Sequence, residues 1–218
     1  MNQKAFIFDL DGVIVDTAKY HYLAWQKIAS RLGIEFTHEH NEQLKGVSRV
    51  RSLDIILELG NIEATQEDKD KWLIEKNEDY LSYIRQMKND EILEGVVPVL
   101  QYLKEKNQKI ALGSASKNAR PILEKVGILH FFNAIVDGND VTNAKPDPEV
   151  FVRAAQMLGL PSKGAIVFED SVAGIQAANN AGMVSVGIGN AEILHEAQYN
   201  FKDFTEITSD FLQKILNT

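Results

Sequence analysis

The segment Ala5-Phe-Ile-Phe-Asp9-Leu-Asp11-Gly12 decides the fold: four apolar residues in a row, two carboxylates two positions apart, then a glycine. An unbroken apolar run of this length fits a strand buried on both faces, the kind that builds parallel sheets. Ligands of such sheets gather beyond the carboxyl ends of the strands, where Asp9 stands. A carboxylate there can act as a nucleophile, while a second one nearby moves a proton on or off the leaving or attacking oxygen. The same pattern also describes a turn with solvated acids, so the segment alone leaves both readings open. A calcium loop of the EF-hand kind does not fit: its third acidic position falls on Val13, its closing glutamate on Tyr20, and a strand rather than a helix precedes it.

The rest of the chain narrows the chemistry. With 218 residues, 44% of them apolar, it can bury a substantial core as one large domain or one domain with an insert. A net charge of -8 argues against nucleic acid or an anionic membrane surface as partner, since both call for a basic footprint. Without cysteine there is no disulfide, thiolate nucleophile or zinc-thiolate centre, in keeping with a reducing compartment. Asp9, Asp11 and Asp16 interrupt the apolar stretch near the start, unlike a signal peptide, and the uncharged stretch 172–191 reads as helix, turn and strand rather than a membrane span. The expectation is a cytoplasmic monomer.

After the first strand the pattern turns helical over about 18–87, which reads as an insert. Thr17 is placed to cap a helix closed by Gly33, with His21, Trp25, Ile28 and Leu32 on one face. Residues 41–49 hold a glycine-containing turn, and Thr65 with Asp68 resembles a capping box for a helix reaching about Met87. From about Leu93 strands and helices alternate, with strands expected at 109–113, 134–136, 165–168 and 184–188. The predicted architecture is α/β: a doubly wound parallel-sheet core from residues 1–15 and 93–218, interrupted by a helical cap over 16–92.

Four segments then place reactive groups where strands finish. Asp9 and Asp11 end one strand and Glu169-Asp170 another, and such acids converging would repel one another unless a cation joined them. Magnesium suits oxygen ligands, and no histidine cluster suggests zinc. Ser114-Ala115-Ser116-Lys117-Asn118 leads from a strand into a helix, a setting suited equally to phosphate oxygens and to plain helix capping. Lys145, ahead of Pro146 and Pro148, offers a compact positive charge that would lessen repulsion between a nucleophilic carboxylate and a phosphate.

Asp9-Leu-Asp-Gly-Val13, Ser114, Lys145-Pro146 and Glu169-Asp170 resemble, in order and across the chain, the four motifs of the haloacid dehalogenase superfamily. The helical insert is similar to that superfamily's α-helical cap. Within the superfamily, Lys45-Gly-Val-Ser-Arg49, Ser114 to Asn118, and Asp16-Thr17 leading to His21 and Trp25 resemble the mutases that act on β-glucose phosphates.

The resemblance implies Asp9 as the nucleophile that becomes an aspartyl phosphate and Asp11 as general acid and base. It implies Mg2+ held by Asp9, the main-chain carbonyl of Asp11 and Asp170, with Glu169 a direct or outer ligand. Ser114 and Lys145 would hold the transferring phosphoryl group, and Ser116, Lys117, Asn118 and Arg49 the non-transferring phosphate, beside Ala115. His21, Trp25, Gly46, Val47 and Lys76 are implied around the sugar or the closed cap. Read from the residues alone, His21 and Trp25 equally suit cap packing, and Lys76 on a charged helix suits solvent. The implied reaction interconverts β-D-glucose 1-phosphate and 6-phosphate, with β-D-glucose 1,6-bisphosphate as activator and intermediate. A capped sugar-phosphate phosphatase shares the four motifs and stays as the alternative. A dehalogenase would have little use for Asp11 and the metal acids, and a binding protein on this scaffold little use for any of the reactive set.

Overall fold

A computed structural model describes residues 3–44 and 47–217. The apolar run Ala5–Phe8 forms β1, buried throughout. Four helices follow: α1 (Ala18–Arg31), α2 (His38–Glu42), α3 (Arg49–Leu59) and α4 (Gln66–Ile84). The alternating part comprises α5 (Val96–Glu105), β2 (Lys109–Gly113), α6 (Ala119–Lys125), β3 (Ala134–Val136), α7 (Glu149–Met157), β4 (Ile166–Glu169), α8 (Val172–Asn180), β5 (Val184–Ile188), β6 (Tyr199–Phe201) and α9 (Ser209–Asn217).

All strand pairs are parallel and the sheet order is β3-β2-β1-β4-β5-β6. β1 is central, with Phe6 in register with Ile110 on one side and Ile166 on the other. The order brings the carboxyl ends of β1, β2 and β4 together, although Asp9, Ser114 and Glu169 are far apart in sequence. Successive strand residues face opposite sides. Phe6 and Phe8 join one apolar cluster, in which Phe8 stacks on Phe168 at 4.6 Å, while Ala5 and Ile7 join another beneath α7 and α8. Both faces are covered, which is why the strand sequences are apolar throughout rather than alternating.

The helical layer has its own core around Trp25, Ile28, Phe36, Leu53, Ile56 and Leu57. Ala24, Tyr80, Ile84 and Met87 instead pack into the cluster that covers the sheet. The chain leaves and re-enters the sheet region at one place: Val15 bridges Ile92, Asp16 N–H donates to the Glu91 carbonyl at 3.2 Å, and Leu93 N–H donates to the Ile14 carbonyl at 3.0 Å. Among the described residues no helix is long and apolar enough to cross a membrane.

Several details differ from the sequence reading. Thr17 precedes α1 but its side chain makes no capping hydrogen bond there; the hydroxyl is used elsewhere. Thr65 does cap α4, accepting from the Asp68 N–H, and that helix stops at Ile84 rather than near Met87. β4 starts one residue late and takes in Glu169. β6 and α9 were not anticipated, since Tyr199–Phe201 is an edge strand of three half-buried residues without an apolar run.

Candidate active site

The three neighbouring strand ends open into a cavity of about 410 Å³ between sheet and helical layer. Asp9, Asp11, Ser114, Lys145 and Asp170 line it from below, and His21, Trp25, Val47, Arg49 and Lys76 from the helices. Ala115, Ser116, Lys117 and Asn118 complete the wall. Every expected site residue among those described except Glu169 reaches this space; Gly46 lies outside the described residues.

Asp9 follows directly from β1 and its N–H donates to the Phe168 carbonyl at 3.0 Å, which ties the first strand end to the fourth. Lys145 Nζ donates to Asp9 Oδ1 at 2.6 Å and also to Glu169 Oε1. Burial raises the Asp9 pKa well above the usual carboxylate range; Lys145 pulls it down, while Glu169, Asp11 and Asp170 push it up further. Burial also works against the charge on Lys145, but its two carboxylate partners outweigh that and hold its pKa above the ordinary lysine value. The ammonium is thus kept charged beside Asp9.

Glu169 stands back from the cavity. It is completely buried, its Oε1 is taken by Lys145, and its Oε2 accepts from the Ser171 N–H and hydroxyl at 2.7 and 2.8 Å. Its carboxylate rests against Gly174, where an added Cβ would come within 1.9 Å of the carboxyl carbon. With both oxygens so engaged, the direct one of the two positions expected for it around a metal would require these contacts to break. Asp170 instead reaches the cavity, its carboxylate so close to Gly12 that an added Cβ would stand 2.2 Å from Oδ2. Gly12 has φ +76, so both backbone conformation and space require glycine there. Among the described residues no three acidic, histidine or cysteine side chains form a closed ligand group. A site in which Glu169, Asp11 and Asp170 all push the Asp9 pKa up fits a hard divalent cation that completes its shell with phosphate and water.

Asp11 is held by a contact the sequence reading assigned to a helix cap: the Thr17 hydroxyl donates to its Oδ1. His21 Nε2 lies 3.8 Å from the same oxygen. Burial raises the Asp11 pKa, against the pull of Thr17 and Lys76. His21 Nδ1 is 2.8 Å from Lys76 Nζ. Burial, together with Lys76 and Arg49, lowers the His21 pKa well below the usual value, so the ring is neutral.

Lys76 is not solvated, as its charged helix suggested. The inward stripe of α4 runs Lys76, Tyr80, Ile84 at intervals of four, and the lysine is only 1% exposed. Its Nζ sits 5.0 Å from the Trp25 ring centre and 4.7 Å from that of Tyr80. Burial and the nearby Arg49 bring its pKa down to about 7, partly offset by Asp11.

The loop after β2 is built from local hydrogen bonds: Ser116 N–H donates to the Ser114 hydroxyl at 3.1 Å, and Asn118 N–H to the Ser116 hydroxyl at 3.3 Å. A second loop braces it, with Gly138 so close that an added Cβ would meet the Ala115 carbonyl oxygen at 2.3 Å, and Asn139 donating to the Lys117 carbonyl at 3.1 Å. Glu149 holds the approach to Lys145 by accepting from the Thr142 and Asn143 N–H groups at 3.0 and 2.8 Å. Sequence reasoning missed these supporting residues, as it missed Asn77 and Tyr80, because their partners lie on segments distant in sequence; Thr17 it read as a helix cap.

The comparisons with known proteins agree with this geometry. A profile of haloacid dehalogenase-like hydrolases matches residues 3–182. The chain is 41% identical to Beta-phosphoglucomutase of Bacillus subtilis over 97% of its own length and 94% of that protein's. It is 30% identical to a Phosphorylated carbohydrates phosphatase of Thermotoga maritima over 83% of its length and 82% of that protein's. A crystal structure of beta-phosphoglucomutase from Clostridium difficile superposes with a TM-score of 0.94 at 43% identity, covering 99% of this chain and 98% of that one. With its paired aspartates, buried Lys145 and strands β1 to β4 falling within the matched span, the chain belongs to the haloacid dehalogenase-like hydrolase family.

Proposed function

We propose that this chain is a phosphosugar mutase interconverting β-D-glucose 1-phosphate and β-D-glucose 6-phosphate. The observation that carries this reading is a single cavity with two sets of anion-binding groups: Ser114 and Lys145 beside Asp9, and Arg49 with Ser116, Lys117 and Asn118 in the surrounding wall. A sugar bisphosphate has two anionic ends and needs both sets; a simple phosphate ester needs one. The full-length similarity to Beta-phosphoglucomutase supports the same choice over the phosphatases.

In the proposed cycle an Asp9 oxygen bonds to the phosphorus of β-glucose 1,6-bisphosphate as the phosphorus–sugar oxygen bond breaks, and Asp11 gives its proton to that oxygen. The aspartyl phosphate then passes its phosphoryl group to the 6-hydroxyl of β-glucose 1-phosphate while Asp11 takes the hydroxyl proton. The bisphosphate turns over, returns its 1-phosphoryl group to Asp9, and glucose 6-phosphate leaves. Lys145 lowers the repulsion between Asp9 and the incoming phosphate. Mg2+, held by Asp9, the Asp11 carbonyl and Asp170 with Glu169 outside the ligand set, would supply positive charge to the phosphoryl oxygens.

Residues 16–92 act in this reading as a cap over the core of 1–15 and 93–218, hinged where Val15 and Ile92 meet. Positioning of the sugar hydroxyl is worth roughly 7 to 11 kcal/mol in favourable cases, enough for it to outcompete water. The negative charge and absent cysteines support a cytoplasmic setting without nucleic acid or membrane as partner. The test is phosphorus NMR of the protein with magnesium, β-glucose 1-phosphate and a trace of bisphosphate. Glucose 6-phosphate is expected, and stoichiometric inorganic phosphate without it would establish a phosphatase instead.

A further inference from the structure

One contact joins the helical layer directly to the second anion-binding loop. Asn118 Nδ2 donates to Asn77 Oδ1 on α4 at 3.1 Å, across 41 residues of sequence. Both side chains are amides, so neither charge nor chain proximity draws them together. Asn118 carries two N–H donors on one planar group. With one fixed on Asn77, the plane of the amide is set, and the other donor remains for an anion in the cavity that Asn118 lines. One helical turn further on, the Tyr80 hydroxyl is buried beside the hydroxyls of Thr17 and Ser116. The turn from Lys76 to Tyr80 therefore faces three things at once: the His21 ring, the loop of Ser116 and Asn118, and the Thr17 that holds Asp11.

We propose that Asn77 is a positioning residue that ties closure of the helical layer to occupation of the second anion site, acting through Asn118. A phosphate held by the free N–H of Asn118 orders the amide and strengthens its grip on Asn77; the cap held by Asn77 in turn presents the other N–H to phosphate. Binding and closure then help each other by the same factor, as linkage requires. A substrate lacking the second phosphate gains nothing from Asn77. This inference rests on the mutase reading for the identity of the ligand, but its test does not depend on turnover.

The test is calorimetric binding of glucose 1,6-bisphosphate and of inorganic phosphate to an Asp9→Asn background, with Asn77→Ala, Asn118→Ala and both together. Asn77 is half-buried on a helix surface, where alanine is a good helix former, and the thermal unfolding midpoint checks that each variant folds. Asn77→Ala is expected to weaken bisphosphate about fivefold, the size of one modest hydrogen bond, and to leave inorganic phosphate unchanged. The double variant is expected to bind no more weakly than Asn118→Ala alone. Unchanged bisphosphate binding in Asn77→Ala, or losses that add fully in the double variant, would overturn the proposal. In the unmodified active site, Asn77→Ala should also release more inorganic phosphate per glucose 6-phosphate formed. A wild-type protein that forms no glucose 6-phosphate would instead refute the mutase reading, leaving the binding cycle to judge Asn77.

Discussion

Lys145 and Lys76 are both buried beside the site, and their surroundings drive them in opposite directions. Lys145 touches two carboxylates and stays charged, whereas Lys76 faces two aromatic rings, a neutral histidine and the Arg49 charge. The prolines after Lys145 marked it in the sequence, whereas Lys76 on its charged helix read as solvated; its burial comes from the aromatic rings that lie opposite. It has a measurable consequence. With a folded pKa of about 7 against an unfolded 10.5, Lys76 binds fewer protons in the folded state between those values. Stability then rises with pH across that window, by up to about 1.4 kcal/mol per unit, and the contribution is lost as pH falls through 7. Subtracting urea unfolding curves of Lys76→Met from those of wild type isolates this slope. A difference that is flat from pH 7.5 to 9.5 would mean Lys76 stays protonated in the fold.

At the scale of elements, two threonines ahead of helices looked alike and proved different. Thr65 is a cap, accepting from Asp68 N–H, while Thr17 turns back to Asp11, which the turn after β1 brings within reach through the Asp11–Val15 bridge. The strand ends that line the cavity were legible because each couples an apolar run to a reactive residue. The braces at Gly138, Asn139 and Glu149 were not, since a loop's use depends on its neighbour. α3 gives the clearest element-level prediction. Ser48 caps it by accepting from Arg51 N–H, and Arg49, its first residue, lines the cavity. A guanidinium bonded to phosphate contributes about 1.5 to 3 kcal/mol, or roughly 10- to 150-fold. Arg49→Ala should therefore reduce mutase kcat/KM by that factor while hydrolysis of acetyl phosphate, which has no second phosphate, changes less than about twofold. Equal losses in the two assays would remove Arg49 from the second anion site.

For the molecule as a whole, the parallel sheet order is what makes the motifs a site. Asp9, Ser114, Lys145 and Asp170 lie on separate segments, and β1 between β2 and β4 collects three of their strand ends at one edge. The helical layer then closes over them and brings the second set of cationic groups to the same cavity. In such an arrangement the phosphoryl group should pass from Asp9 to sugar in preference to water. Mixing the protein with radiolabelled β-glucose 1,6-bisphosphate, trapping by acid quench and mapping the labelled peptide should place the phosphoryl group on Asp9. A chase with unlabelled β-glucose 1-phosphate should then carry most of the label into sugar phosphate at a rate no slower than turnover. Label found on no residue, or chased wholly into inorganic phosphate, would show that the two ends of the cavity do not serve one transfer.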